Sequence, residues 1–151
     1  VQTCALPILS IRIAAIAAAT VLAAAGSALA DPASAPGAKV YFVGLKDGDT
    51  IAKDAVIHFG VKGMGIAPAG VDFPNTGHHH LVVDLATPPT NDYLPTDNPK
   101  IFHYGKGQTE VSVEVLKLTP GKHTLQLVFA DQDHKPHKPP VVSDKITVTV
   151  K

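Results

Sequence analysis

Residues 109–129 read TEVSVEVLKLTPGKHTLQLVF, and this stretch gives the clearest indication of the fold class. Valine occupies every second position from 111 to 115, and apolar residues again occupy every second position from 125 to 129, after a Pro-Gly turn. Side chains of a β-strand alternate between two faces with a period of two residues. Both runs are therefore predicted to be strands, over residues 109–118 and 123–129, with one face in the core.

Short runs of the same kind occur throughout the chain after residue 38, and none of them shows the 3.6-residue apolar period of a helix. The further predicted strands are residues 40–45, 55–62, 79–85 and 143–150. Residues 86–99 and 131–140 are irregular and rich in proline, so they are predicted to be loops. About seven short alternating strands predict an all-β fold, most simply an antiparallel β-sandwich of the immunoglobulin-like (Ig-like) type.

The turn within the opening stretch, LTPGKHTL at residues 118–125, places a histidine at the start of a strand. This residue, His123, shares a face with the apolar residues that follow it. We expect its ring to pack at a corner of the sandwich and to hydrogen-bond to the backbone, as the tyrosine corner of Ig-like domains does.

The N-terminal 30 residues have the features of a signal peptide. Arg12 precedes an apolar run over residues 13–29, and Ala28-Leu29-Ala30 supplies the small residues that signal peptidase requires. A transmembrane anchor is the alternative, but the run is rich in alanine and ends in the cleavage sequence. We therefore expect a signal-peptide helix within residues 1–30, cleavage after it, no membrane segment afterwards, and a periplasmic or secreted protein.

The ends of these segments set the expected domain organisation. Residues 1–8, VQTCALPI, resemble a translated sequencing adapter, so we expect this stretch, with Cys4, to be an artefact. No other cysteine occurs, so no disulfide is expected. Residues 31–38 are rich in Pro, Ala, Ser and Gly and are predicted to be a flexible tether. Residues 39–151 have the size of one domain, the predicted β-sandwich.

The composition disfavours some classes of function and points to another. The formal net charge is zero and no basic face is evident, so nucleic-acid binding is not expected. The chain has no Trp, which makes a stacking platform for sugars or bases unexpected. Histidine is abundant in comparison: eight histidines lie between residues 58 and 137, whereas Glu110 and Glu114 are the only glutamates.

The first group of histidines is His78-His79-His80, where a predicted strand begins. Because side chains alternate, His78 and His80 project together, whereas His79 points inward with Leu81. The Cα atoms of the outer pair are about 6.5–7 Å apart in a strand, a spacing at which both rings can bind one ion.

Two further groups lie in irregular segments. His103 stands at the end of the proline-rich segment that follows the third strand. His134 and His137 are three residues apart in a proline-stiffened loop, where Asp131 and Asp133 could accept a hydrogen bond from a ring N–H and orient it. Loops cluster at the ends of a sandwich, so these histidines could meet the first group there.

Five histidines and one methionine are therefore the candidate metal ligands: His78, His80, His103, His134, His137 and Met64. Imidazole ligands favour Cu(II), Zn(II) and Ni(II), and Met64, in a glycine-rich loop, could add a soft axial ligand for copper. Both have structural alternatives. The histidines could cap strand ends and hydrogen-bond to loop backbones with no ion bound, and Met64 could fill a gap in the core. For His58 a structural or surface role is expected.

Five stretches of the chain match a known family pattern: residues 63–70 (GMGIAPAG), 75–81 (NTGHHHL), 103–110 (HYGKGQTE), 120–127 (PGKHTLQL) and 134–137 (HKPH). On these stretches the chain, from Lys39 onward, resembles the bacterial DUF4399 family. The resemblance implies an exported protein and its fold, and it supplies no activity, because the family name records that none is assigned. A looser likeness, in size and His/Met content, is to small periplasmic copper carriers with a cupredoxin-like or Ig-like sandwich.

The sequence favours a periplasmic protein that binds a transition-metal ion, with copper preferred, as a carrier or buffer. The alternative is a non-catalytic Ig-like module of the cell envelope that binds another envelope protein and no metal. Catalysis is not expected, because no G-x-S-x-G motif occurs and signal cleavage would expose Asp31 instead of the N-terminal histidine that a histidine-brace oxygenase needs. The identity of the metal and the oligomeric state stay open.

Overall fold

Ten β-strands and one helical turn are formed by residues 31–151, which are the residues that this computed structural model describes. The elements in chain order are β1 (Lys39–Val43), β2 (Thr50–Ile51), β3 (Val56–Lys62), β4 (Gly65–Ile66), β5 (Thr76–Val83), β6 (Ile101–His103), β7 (Glu110–Ser112), α1 (Val113–Leu116), β8 (Gly121–Ala130), β9 (Pro136–Val142) and β10 (Ile146–Val150). The expected signal peptide lies outside the described residues. No helix within them is long and apolar enough to cross a membrane.

The strands form a small sheet and a large sheet. The small sheet has the order β1-β3-β7, and all its pairings are antiparallel. The large sheet is built on antiparallel β10, β8 and β5, with β6 beside β5 and β9 beside β8. The all-β, antiparallel prediction is confirmed. The strand number is higher than predicted because β2, β4 and β6 have two or three residues each, too few to show an alternating pattern. Of these, β2 and β4 pair in parallel.

The main core lies between the two sheets. Ile57 and Phe59 of β3 pack against Leu81 of β5 and against Leu127 and Phe129 of β8, and all five are less than 5% exposed. Burial of these apolar side chains is the dominant stabilising contribution to such a fold.

A second, smaller core covers the opposite face of the large sheet. Val82 of β5 and Val128 and Ala130 of β8 pack there against two further residues. These are Leu94, from the segment between β5 and β6, and Ile101, at the start of β6. Both faces of the two central strands are therefore buried along part of their length. The outward-pointing residues of β5 next to this second core include the first candidate ligands.

The predicted strand over residues 109–118 is wrong in its second half. Strand β7 ends at Ser112, whose side chain caps a helical turn by accepting a hydrogen bond from the Glu114 N–H at 3.2 Å. Lys117 ends the turn in the left-handed conformation, with φ 54°. Val113 and Leu116 are buried while Val115 is 64% exposed, which is the spacing of a helical face. The cap outweighs the valine alternation.

The segment around residue 138 also differs from expectation. Residues 131–140 were expected to be a loop, but a tight turn leads into strand β9, which begins at Pro136. Proline is tolerated in β9 because its register with β8 shifts between Phe129 and Ala130, so that residues 137–140 have no partner in β8. On its other side, Lys138 donates to the Pro32 carbonyl at 2.7 Å and accepts from the Ser34 N–H at 3.0 Å. The start of the expected tether thus lies against the domain.

The corner expected at His123 is present. Its Nε2 donates to the carbonyl of Thr119 at 2.8 Å, and its Nδ1 lies 2.7 Å from the Asp84 carboxylate. No sequence pattern predicts this second partner, Asp84, which follows β5 and also accepts a hydrogen bond from the Thr124 N–H at 2.8 Å.

Candidate metal centre

Strand β5 presents its three histidines to opposite faces of the large sheet. His79 points into the main core, where its ring lies between those of Phe59 and Phe129, at centroid distances of 5.5 and 5.2 Å. His78 and His80 project together from the other face, with ring centroids 4.7 Å apart. The period-two alternation of a strand therefore produced the predicted pair.

Two more histidines reach this face from other elements. Strand β6 places His103 directly opposite His80, and their rings stack at 5.1 Å. His134 lies in the turn between β8 and β9, in the left-handed conformation with φ 69°. Its carbonyl accepts from the Leu94 N–H at 2.8 Å, and its own N–H donates to the Asp131 carbonyl at 3.1 Å. Backbone hydrogen bonds thus fix the turn that presents this ring.

The four rings converge on one point, and we call this group the four-histidine centre: His78, His80, His103 and His134. One nitrogen from each ring lies within 4.8 Å of the other three, so the group could hold a metal ion. The Nε2 atom of His103 is 3.1 Å from that of His78 and 3.0 Å from that of His134. Metal–nitrogen bonds of about 2.0–2.1 Å would place neighbouring nitrogens about 2.9 Å apart in square-planar and about 3.3 Å apart in tetrahedral coordination.

Hydrogen bonding among the rings cannot satisfy this arrangement. A neutral imidazole has one N–H donor and one acceptor nitrogen, so the single Nε2 of His103 can pair with only one of its two neighbours. Neither ring nitrogen of His80 has a hydrogen-bond partner among residues 31–151, and Nδ1 of His78 has none there either. A cation placed between the nitrogens would accept all the lone pairs at once.

The environment favours the neutral form of three of these rings, those of His78, His80 and His103, at physiological pH. Burial lowers the pKa of His80 to about 2 and that of His78 to about 3, and repulsion between neighbouring rings is the second cause. Burial and the ring of His134 also lower the pKa of His103. Metal ions bind the neutral form of imidazole, so these three rings are in the protonation state that coordination requires.

The centre is closed on the sheet side and open on the other. His78 and His80 are at most 1% exposed, whereas His134 is half-buried and His103 is exposed. An ion could therefore reach the buried pair from solvent, past the two outer rings, without any strand separating.

Two predicted ligands lie elsewhere. His137, on β9, stacks on Phe129 at 5.9 Å and so belongs to the opposite face of the sheet from the four-histidine centre. The turn conformation at His134 separates two residues that a regular loop would have kept together. Met64 is half-buried and packs against the main core, which was the alternative considered for it.

The acidic residues of the turn also act differently from expectation. The Oδ1 atom of Asp131 accepts hydrogen bonds from the backbone N–H groups of Asp133 and Lys135, at 2.9 and 2.8 Å. This carboxylate therefore holds the backbone of the turn in place rather than orienting an imidazole. His58 lies on the exposed side of β3, with Nδ1 3.1 Å from a carboxylate oxygen of Glu110, as expected for a surface residue.

Comparison with known proteins adds a family and no activity. The family model described as a domain of unknown function (DUF4399) matches residues 57–151, which include all four histidines of the centre. No curated protein and no solved structure matches the chain.

Proposed function

Because the chain belongs to the DUF4399 family, whose description assigns no activity, we propose its function from the four-histidine centre. The protein binds one transition-metal ion there, preferably Cu(II), and acts as a carrier or buffer for that ion outside the cytoplasm. The observation behind the proposal is the convergence of four imidazole nitrogens within 4.8 Å, two of them on side chains that are fully buried.

The ligand set decides which ions are suitable. The group contains only imidazoles, with no thiolate and no carboxylate, and such ligands favour Cu(II), Ni(II) and Zn(II) over Mg(II) or Ca(II). Among divalent first-row ions, Cu(II) binds a given nitrogen site most tightly. Met64 packs against the main core and supplies no sulfur ligand to the centre. The preference for copper therefore rests on this order of affinities alone.

A carrier or buffer suits the centre better than an enzyme. Metal-assisted hydrolysis needs a general base near the ion, and the group includes no carboxylate. The nearby Asp131 already accepts two backbone hydrogen bonds through Oδ1. Two ligands on the solvent side favour exchange of the ion with a partner. The location outside the cytoplasm rests on the signal-peptide features of residues 1–30.

Calorimetric titration of the protein, produced without a histidine tag, tests the proposal. The metal-free chain is titrated with Cu(II), Zn(II) and Ni(II), and bound metal is counted by elemental analysis after dialysis. We expect one ion per chain with sub-micromolar affinity, the tightest being Cu(II), and loss of that binding in the double variant His78→Ala/His80→Ala.

Two control variants remove histidines outside the centre. His58→Ala removes an exposed ring and His137→Leu removes a buried one on the opposite face, so both should retain full binding. Binding no tighter than that of a single surface histidine, or equal loss in the controls and in the double variant, would contradict the proposal. The envelope interaction module without a metal would then be the function to pursue.

A further inference from the structure

We infer that Gly105 is a positioning residue of the four-histidine centre: the missing side chain at this position leaves the space in which the ring of His103 lies. The inference rests on the proposed metal-binding function. It adds a residue that contributes no ligand atom yet decides whether the fourth ring can join the other three.

The space is too small for even one methyl group. A Cβ atom built on Gly105 would lie 2.2 Å from both Cε1 and Nε2 of His103, where an ordinary contact is 3.4 Å or longer. The second close neighbour, the Cβ of Ala69, would be 3.1 Å away. The ring of His103 therefore lies directly over the glycine, and Nε2, the atom that approaches His78 and His134, is one of the two atoms that would collide.

The backbone at this position fixes which group must move. The φ angle of Gly105 lies outside the left-handed region, so an alanine can adopt the same backbone conformation without strain. The Gly105 carbonyl accepts a hydrogen bond from the Ala69 N–H at 2.8 Å, which holds the segment against the neighbouring loop. His103 is exposed, so its side chain can rotate into solvent. The collision is therefore relieved by moving the ring.

The consequence is selective for metal binding. Rotation of His103 leaves the other three rings in place but removes the one Nε2 that contacts two of them, at 3.1 and 3.0 Å. The three atoms nearest to a Cβ at Gly105 belong to His103 and Ala69, and neither residue is part of the main core between the sheets. We expect Gly105→Ala to fold normally and to bind the ion as if His103 were absent.

A double-mutant cycle on the full protein tests this inference. Cu(II) affinity is measured by competition with a chelator of known affinity for the wild type, Gly105→Ala, His103→Ala and the double variant, and the copper EPR spectrum is recorded for each. We expect each single variant to weaken Cu(II) binding by about 10–100-fold, with matching EPR spectra, and the double variant to be no weaker than either one.

A matched glycine provides the control. Gly65→Ala adds the same methyl group at a position where φ also lies outside the left-handed region, but its nearest neighbour is Cγ2 of Thr76 at 3.2 Å. We expect wild-type Cu(II) affinity from this variant.

The possible failures are distinguishable. Absence of Cu(II) binding by the wild type overturns the proposed function. Wild-type affinity in Gly105→Ala, or losses that add in the double variant, overturn the positioning role while leaving the function intact. NMR of the metal-free protein supplies a measurement that does not depend on metal binding. NOEs between the rings of His103 and His134 should disappear in Gly105→Ala, and their persistence would overturn the inference.

Discussion

Replacing His80 with leucine is predicted to stabilise the metal-free protein while abolishing metal binding. His80 is 1% exposed, and neither of its ring nitrogens has a hydrogen-bond partner among the described residues. Burying a polar group without a partner costs about 1–3 kcal/mol, which an apolar side chain of similar size avoids. Val128 lies directly across the strand pair and Val82 two residues along the same face, so leucine would extend the second core.

The gain should be visible in urea unfolding at pH 7.5 with a chelator present. A gain of about 1–3 kcal/mol shifts the midpoint upward by about 0.5–1.5 M for a slope of about 2 kcal/mol per M. The difference should widen in acid. The pKa of His80 is about 2 in the folded protein, against about 6.5 for an unfolded chain, so the wild type loses about 1.4 kcal/mol per pH unit below 6.5 through this residue. Leucine removes that loss.

The exposed His58 supplies the control, because His58→Leu removes an imidazole that lies outside both cores. It should leave the copper affinity unchanged. A His80→Leu variant that is less stable than the wild type by more than about 1 kcal/mol would refute the reasoning, since the imidazole would then have stabilising partners in solution. Unimpaired copper binding by the variant would refute its role as a ligand.

Three further predictions concern the remaining titratable groups and one glycine. The pKa values of His78, His79 and His80 are lowered by burial to about 3, 4 and 2, so the unfolded chain binds protons that the folded one excludes. The contribution of these three residues to the stability of the metal-free protein should therefore be nearly constant above about pH 7.5 and fall below it, by up to about 4 kcal/mol at pH 5.5; a flat urea midpoint from pH 7 to 5 would contradict this. Asp84→Ala should cost about 1 kcal/mol, a modest loss because the Asp84 side chain is 38% exposed and water screens its interaction with His123. The loss should be larger at pH 6 than at pH 8, because the raised pKa of His123 keeps its ring protonated at the lower pH and the ring loses its proton towards the higher pH. Equal losses at both pH values would exclude the ion pair. Gly77→Ala should destabilise by about 1–3 kcal/mol in the same urea assay, since a Cβ there would lie 2.3 Å from the backbone oxygen of Ala130 in the neighbouring strand, and a neutral result would mean that the two strands separate easily.

The regular part of the fold could be read from the sequence because its strands have a buried face and an alternating pattern. The apolar run of β8 was located to within a few residues, and β10 likewise. The errors occur where local hydrogen bonds decide the structure. Ser112 caps a helical turn inside an apparent strand, and β9 forms despite its prolines because a shift in its register leaves residues 137–140 without a partner in β8.

The candidate site was predictable in its members and only partly in its geometry. Period-two alternation is a local property, so the joint projection of His78 and His80 followed from the sequence. The position of His103 depends on the pairing of the three-residue strand β6 with β5. The position of His134 depends on its left-handed backbone conformation and on the hydrogen bond that its carbonyl accepts from the Leu94 N–H. Both are tertiary contacts, which no local pattern specifies, and the same turn sends His137 to the other face.

The cost of the four-histidine centre is itself an argument that it binds an ion. Two buried imidazoles with unpaired nitrogens cost about 1–3 kcal/mol each, which is a large fraction of the roughly 5–15 kcal/mol by which a domain is stable. An ion that binds only the folded chain contributes about 4 kcal/mol when its free concentration is 1,000 times its dissociation constant. At a free copper concentration of about 1 μM, a dissociation constant of about 1 nM would give a contribution of that size. Conflicts between local rules and the fold are expected at functional sites, and at this site four imidazoles meet on one face of the large sheet.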